Sequence, residues 1–173
     1  TRGKRRENQS KREIKAINNG ELYRFISDTI AKSNATGCEF SDYLSIWKMI
    51  NKNNYRLILE CGSGISTVLL AYYAFKSKKP VKIVSMESEE FYHQGILRIF
   101  PKKLKPYVRF IYSPRVVSSY NDILGSHYRD IPNEKYDFIF IDGPALRNQH
   151  NSSSKSSVKC FNSDIINILD KGY

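Results

Sequence analysis

Ile58-Leu59-Glu60-Cys61-Gly62-Ser63-Gly64-Ile65-Ser66-Thr67 is the stretch on which the reading of this chain turns. With Leu57, its first residues make a short continuous apolar run, the mark of a strand buried on both faces of a sheet. Gly62 and Gly64 then permit a tight turn and a close approach of backbone to a neighbour. From Ser66 to Phe75 the chain is apolar and helical in pattern, and Lys78-Lys79-Pro80 ends that segment. Strand, glycine turn and helix together open a βαβ unit.

The same alternation continues downstream. Val81 to Met86 reads as a second strand, Glu89 to Phe100 as a helix stopped by Pro101, Val108 to Tyr112 as a third strand and Phe138 to Ile141 as a fourth. Between the last two, Ser113 to Lys135 is long and polar, with a helix expected near Asn121. Leu146 to Ser157 is rich in Ser and Asn, a loop composition, and Phe161, Ile165, Ile166 and Leu169 give a last helix. Alternating strands and helices predict an α/β domain: a doubly wound, mostly parallel sheet with helices on both faces.

Upstream, residues 1–20 read as a basic N-terminal tail, carrying Arg2, Lys4, Arg5, Arg6, Lys11, Arg12 and Lys15 before the breaker Asn18-Asn19-Gly20. Residues 21–54 read as a helical cover. Leu22, Phe25, Ile26 and Ile30 share one helical face, Ser33 to Gly37 is loop, and Ser41 is placed to cap a second helix with Tyr43, Trp47 and Ile50. The main domain is then 55–173.

Composition narrows the function classes. Lys and Arg outnumber Asp and Glu 28 to 17, a formal charge of +11 that suits a polyanionic partner without fixing a fold. No run approaches the ~18 apolar residues of a membrane span, and no apolar segment follows the basic start as in a secretory signal. Cys38, Cys61 and Cys160 are three, widely spaced, and form no metal pattern, so a reducing, cytoplasmic setting is expected and no metal site is.

Three of these four strands end in acid. Glu60 precedes Cys61-Gly62-Ser63-Gly64, Glu87-Ser88 ends the second strand and Asp142-Gly143 the fourth, so three carboxylates reach one rim of the sheet. A dinucleotide would bring a pyrophosphate, which suits N–H groups and glycines but not a crowd of acids, and Thr67 stands where its fingerprint has a third Gly or Ala. The Gly-Lys-Ser/Thr of a P-loop is absent. S-adenosylmethionine has a ribose diol and two cationic groups and no phosphate. Glu87, 25 residues after Gly62, has roughly the spacing of an acid that meets a ribose diol. Glu60 and Asp142 would face the cationic half.

The run Glu60-Cys61-Gly62-Ser63-Gly64-Ile65-Ser66-Thr67 resembles motif I of the Rossmann-like S-adenosylmethionine-dependent methyltransferases, in a form similar to a bacterial small-molecule and sugar-type subgroup. Val84-Ser85-Met86-Glu87-Ser88 is similar to its motif II, Phe138-Ile139-Phe140-Ile141-Asp142-Gly143 to its fourth-strand motif, and Asp164 with the helix ending in Asp170-Lys171-Gly172 to the stretch before its fifth strand. The resemblance covers about Tyr55 to Tyr173. It implies that Glu87 binds the ribose hydroxyls and that the Gly62–Gly64 turn, with Glu60, Cys61, Ser63, Ser66, Ser88 and Asp142 around it, holds the cofactor. It also implies a fifth strand after residue 173, where this sequence stops. The Asp/Asn-Pro-Pro-aromatic motif of enzymes acting on exocyclic base amines does not follow the fourth strand.

The remaining residues carry weaker signals. Cys61 reads as a small apolar filler. Tyr72, Tyr73 and Phe75 read as core, His93 as a surface residue on the second helix, and His127 and His150 as loop residues able to serve as general base, though no catalytic residue is fixed by the sequence. Three functions follow: methyl transfer to an oxygen or nitrogen of a small molecule or sugar, which the Ile-Asp-Gly ending favours; methyl transfer to RNA, suggested by the charge; and a methyltransferase-like binding module without catalysis.

Overall fold

The computed structural model describes residues 2–33, 39–143 and 161–169. Three helices come first, α1 (Arg2–Ala16), α2 (Glu21–Ile30) and α3 (Phe40–Ile50). They lead into β1 (Leu57–Cys61), α4 (Ile65–Lys76), β2 (Lys82–Glu87), α5 (Glu90–Ile99) and β3 (Val108–Tyr112). The strands β4 (Arg115–Tyr120), β5 (Ile123–Tyr128), β6 (Phe138–Ile141) and β7 (Phe161–Asn162) follow, then α6 (Asp164–Leu169).

Four strands form a parallel sheet in the order β3-β2-β1-β6. The chain winds outward from β1 to β3 and then returns to place β6 on the other side of β1. Strand order therefore reverses between β1 and β6, and in open α/β sheets ligands bind outside the carboxyl ends of the strands at that point. The register sets Ile58 between Ile83 and Phe138, and Glu60 between Ser85 and Phe140. Because side chains alternate along a strand, Ile58, Ile83, Phe138 and Phe140 meet one face, packing with Leu22, Ile26, Ile50, Leu69 and Tyr72 of the helices. Leu59, Cys61, Val84 and Met86 meet the other, under Tyr128, Ile131 and Ile168. The domain is thus α/β with a four-stranded parallel sheet flanked by helices, and Tyr72 and Tyr73 are core as expected.

β6 is pinned to β1 at both ends. The Asp137 carboxylate accepts from Arg56 N at 2.7 Å and Leu57 N at 3.0 Å. At the other end the Cys61 carbonyl accepts from Asp142 N at 2.8 Å and Gly143 N at 2.7 Å.

Three expectations give way to the structure. The basic tail is helix α1, with Ile14 fully buried and Ser10 nearly so. Asn18, Asn19 and Gly20, all at positive φ, turn the chain from it into α2. Ser41 does not cap α3. That helix begins one residue earlier, and Glu7 of α1 caps it, accepting from Phe40 N at 2.7 Å and Ser41 N at 3.0 Å. A full charge beside the free N–H groups of a helix start outcompetes a hydroxyl. In place of a helix near Asn121 stands the antiparallel hairpin β4–β5, which with β7 forms a second, three-stranded sheet. Asn121 and Asp122, at φ 48° and 63°, supply the two left-handed residues of a tight hairpin turn. The expected 146–157 loop and the 170–172 stretch lie outside the described residues.

Candidate functional site

The turn after β1 is built by crowding. Gly62 has φ +111°, and a Cβ there would lie 3.0 Å from Gly143 N and 3.1 Å from Asp142 C, so the exits of β1 and β6 touch backbone to backbone. Gly62 N and Ser63 N both donate to the Met86 carbonyl at 2.9 Å, which ties the turn to the end of β2. Gly64 N donates to Thr67 Oγ1 at 2.9 Å at the start of α4.

Beneath the turn lies Glu60, with no exposed surface. Its carboxylate accepts from the hydroxyls of Ser66, Thr67 and Ser85, each at 2.6 Å, and Ser85 Oγ lies 2.7 Å from Ser63 Oγ. Burial pushes the carboxyl up to about 7 against the lowering effect of those three donors. Glu60 is therefore an internal clamp on the turn and on the first residues of α4, and it does not reach the ligand side where the sequence placed it. Cys61 is likewise fully buried, its thiol pushed up by desolvation.

Above the turn a cavity of about 620 Å³ opens at the reversal point of the sheet. Of the nine residues named from sequence, Gly62, Ser63, Gly64, Ser66, Glu87, Ser88 and Asp142 line it, and Glu60 and Cys61 do not. The sequence missed its far wall, where α3 contributes Asp42, Tyr43, Ser45 and Ile46. It also missed Tyr128, whose hydroxyl lies 3.4 Å from the Met86 carbonyl beside the β1 exit. The sequence marked residues 21–54 as a cover without showing which side chains of α3 meet the turn, and Tyr128 stands 66 residues after Gly62 with no pattern to link them.

Glu87 is only 8% exposed, and its Oε1 accepts from Ser88 N at 2.7 Å and Glu89 N at 3.0 Å. Both backbone bonds fall on one oxygen and hold the carboxylate at the cavity wall. Burial raises its pKa against these donors. Desolvation, and after it the charge of Asp42, raises that of Asp142. The wall thus carries Asp42, Glu87, Glu89 and Asp142, and no Lys, Arg or His among the described residues. A second cavity of about 610 Å³ shares Ser63, Gly64 and Tyr92 with the first and runs on toward Lys32 and Arg98.

The histidines fall elsewhere. His93 is buried, its ring packed on Tyr112 and its Nδ1 without a partner, because it shares with Ile96 the face of α5 turned to the sheet. His127 lies on β5, its Nδ1 3.3 Å from Ser118 Oγ and 3.2 Å from Ser163 Oγ, off the cavity wall. His150, the other candidate base, lies outside the described residues, as do Cys38 and Cys160. Among the described residues no group of three or more His, Cys, Asp or Glu side chains is arranged to hold a metal ion, and no helix is long and apolar enough to cross a membrane.

Compared with known protein families, with curated proteins and with solved structures, the chain matches none.

Proposed function

We propose that this cavity binds S-adenosylmethionine and that the protein transfers a methyl group to an oxygen or nitrogen of a small molecule or sugar. One observation carries the reading: a cavity at the reversal point of a parallel sheet, over a glycine turn, whose charged lining groups among the described residues are four carboxylates. Such a wall repels the phosphates of a nucleotide and suits a ligand with cationic groups and a ribose diol. The sequence motifs around Gly62, Glu87 and Asp142 support the same choice, as does the Rossmann-like strand order.

When bound, the cofactor supplies an electrophilic methyl group, so the protein's part is binding and orientation. Glu87 is held by two backbone N–H groups and is the residue to accept from the ribose hydroxyls. The tight Gly62 turn leaves room for the methionine part, and Asp142 and Asp42 face the cationic groups. The adjoining cavity beyond Ser63 and Tyr92 offers space for the acceptor beside the cofactor.

Calorimetry tests the reading. S-adenosylmethionine or S-adenosylhomocysteine should bind in the micromolar range, about −8 kcal/mol, and NAD far more weakly. Glu87→Gln should weaken binding roughly ten- to a hundredfold, since the amide loses the charge and one acceptor. Glu134→Gln, at the exposed ion pair with Arg109, should leave it unchanged. A preference for NAD, or equal binding by both variants, overturns the assignment.

A further inference from the structure

The second cavity differs from the first in charge. Arg98, in the last turn of α5, and Lys32, on the turn after α2, line it, and among the described residues Glu90 is its one carboxylate. Neither cation is in an ion pair among the described residues, so one positive charge is left over. The wall along α5 is a stripe. At 100° per residue, Phe91, Gln94, Gly95 and Arg98 fall within about 100° of one another, and all four line the cavity. Gly95 sits in the helix interior, where glycine is the poorest residue after proline. A Cβ there would meet nothing within 4 Å, so no neighbour requires the glycine, and its bare backbone keeps the space open between Phe91 and Arg98. At the near end Phe91 and Tyr92 stand 71% and 55% exposed, their rings edge to face at 5.5 Å. Tyr92, Ser63 and Gly64 belong to both cavities, so this end adjoins the carboxylate wall.

We infer that this cavity is the acceptor subsite and takes a hydroxylated ring compound with one carboxylate. The ring lies on Phe91 and Tyr92, whose uncovered faces suit another ring. Charge fixes the direction. The four carboxylates beside the near end repel an anion. Arg98 stands about 10 Å from Phe91 along the helix, and its planar fork pairs with a carboxylate. The acid group therefore points to Arg98 and the hydroxyl to Ser63 and Gly64. One positive charge left over matches a monoanion. A phosphate monoester, with close to two charges, would keep one unmatched beside the acid wall. Phenolic acids and sugar acids share the chemistry of ring, hydroxyl and carboxylate. That the compound accepts the methyl group rests on the reading of the first cavity; that it binds here does not.

The test is ligand-observed NMR titration of the 173-residue chain, first alone and then with saturating S-adenosylhomocysteine. The probes are para-hydroxycinnamate and glucuronate, each beside its neutral methyl ester. One of the two acids should bind about tenfold or more tightly than its ester, and which acid does so separates a phenolic acceptor from a sugar acid. The double variant Lys32→Gln, Arg98→Gln should bring that ratio to about one and leave the ester where it was. Phe91→Ala should weaken acid and ester alike. Gly95→Leu should fill the cavity and abolish binding of both, while thermal unfolding holds or rises, since leucine favours a helix. The control Lys78→Gln, Lys79→Gln removes equal charge beyond α4 and should match the wild type. Equal binding of acid and ester by the wild type, or no binding of either acid, overturns the inference. So does tighter binding of inorganic phosphate than of either acid. So does a double variant that unfolds at lower temperature with the ratio intact, since Arg98 would then serve only the C-terminus of α5. Cofactor calorimetry is read separately. If S-adenosylhomocysteine binds and neither acid does, this inference alone falls; if an acid binds and S-adenosylhomocysteine does not, the cofactor reading falls and the acid site stands.

Discussion

Glu60→Gln isolates the buried clamp under the glycine turn. In the folded protein the Glu60 carboxyl is raised from 4.5 to about 7, because desolvation outweighs three hydroxyl donors. Between those two values the folded state holds the proton more tightly than the unfolded chain. Stability is therefore fully present below the unfolded pKa and is lost as pH rises through the folded one. At 1.36 kcal/mol per unit, the loss from pH 5 to pH 8 comes to about 2–3 kcal/mol. Glutamine keeps the shape and cannot ionise. Ser66 and Ser85 can turn their hydroxyls to suit an amide, while Thr67 is held by the bond it accepts from Gly64 N. Urea unfolding of both proteins at pH 5, 6, 7 and 8 gives the quantity needed. The stability of the variant minus that of the wild type should rise by about 2–3 kcal/mol across this range, and the subtraction cancels the other raised carboxyls. A difference that stays flat, or that falls with pH, would mean that the hydroxyls and the α4 N-terminus hold Glu60 ionised throughout, and the account of the clamp would be wrong.

Gly62→Ala should destabilise the domain by about 1–3 kcal/mol and abolish cofactor binding in calorimetry, since its Cβ meets backbone atoms of residues 142 and 143 at a positive φ; unchanged binding would place the ligand elsewhere. Ile14→Ala should cost about 2–4 kcal/mol in chemical denaturation, as for any fully buried aliphatic side chain; a loss under 1 kcal/mol would return α1 to the status of a loose tail. Asp122→Gly should raise thermal stability, because glycine adopts the left-handed turn without strain and Asn-Gly is the favoured pair of such a hairpin; destabilisation would deny the hairpin its turn.

The central sheet was legible because β1 and β2 are buried on both faces and β6 is apolar on both. Leu57-Ile58-Leu59 and Phe138-Ile139-Phe140-Ile141 have no polar residue to break the apolar run, so each announced itself. The hairpin was not, because β4 mixes Val116 and Val117 with Ser118 and Ser119, and Asn121-Asp122 is a weaker turn signal than a pair ending in glycine. Helix α1 was hidden by its charge. What holds it are Ile14 and the Glu7 cap on α3, contacts that only the folded chain brings together. The rim acids Glu87 and Asp142 were legible from strand ends, and both line the cavity. Glu60 shared the same pattern and took another role, because Ser66, Thr67 and Ser85 converge on it from a helix and a neighbouring strand. His93 was misplaced since a single polar residue gives no hint of which face of an amphipathic helix it occupies.

The two clips that join β6 to β1 also set a timetable. Asp137 reaches back to Leu57 over 80 residues of chain, and Cys61 waits as long for Asp142 and Gly143. Until that late segment leaves the ribosome and docks, β1 has a partner on one side only, and the glycine turn lacks the backbone against which it is pressed. The loop closed by this pairing is long, so its entropy must be met before its contacts form. Nascent chains halted before residue 137 would carry Glu60, Gly62 and Glu87 yet hold no finished pocket. Acquisition of ligand binding should thus wait on β6 and come abruptly when it arrives.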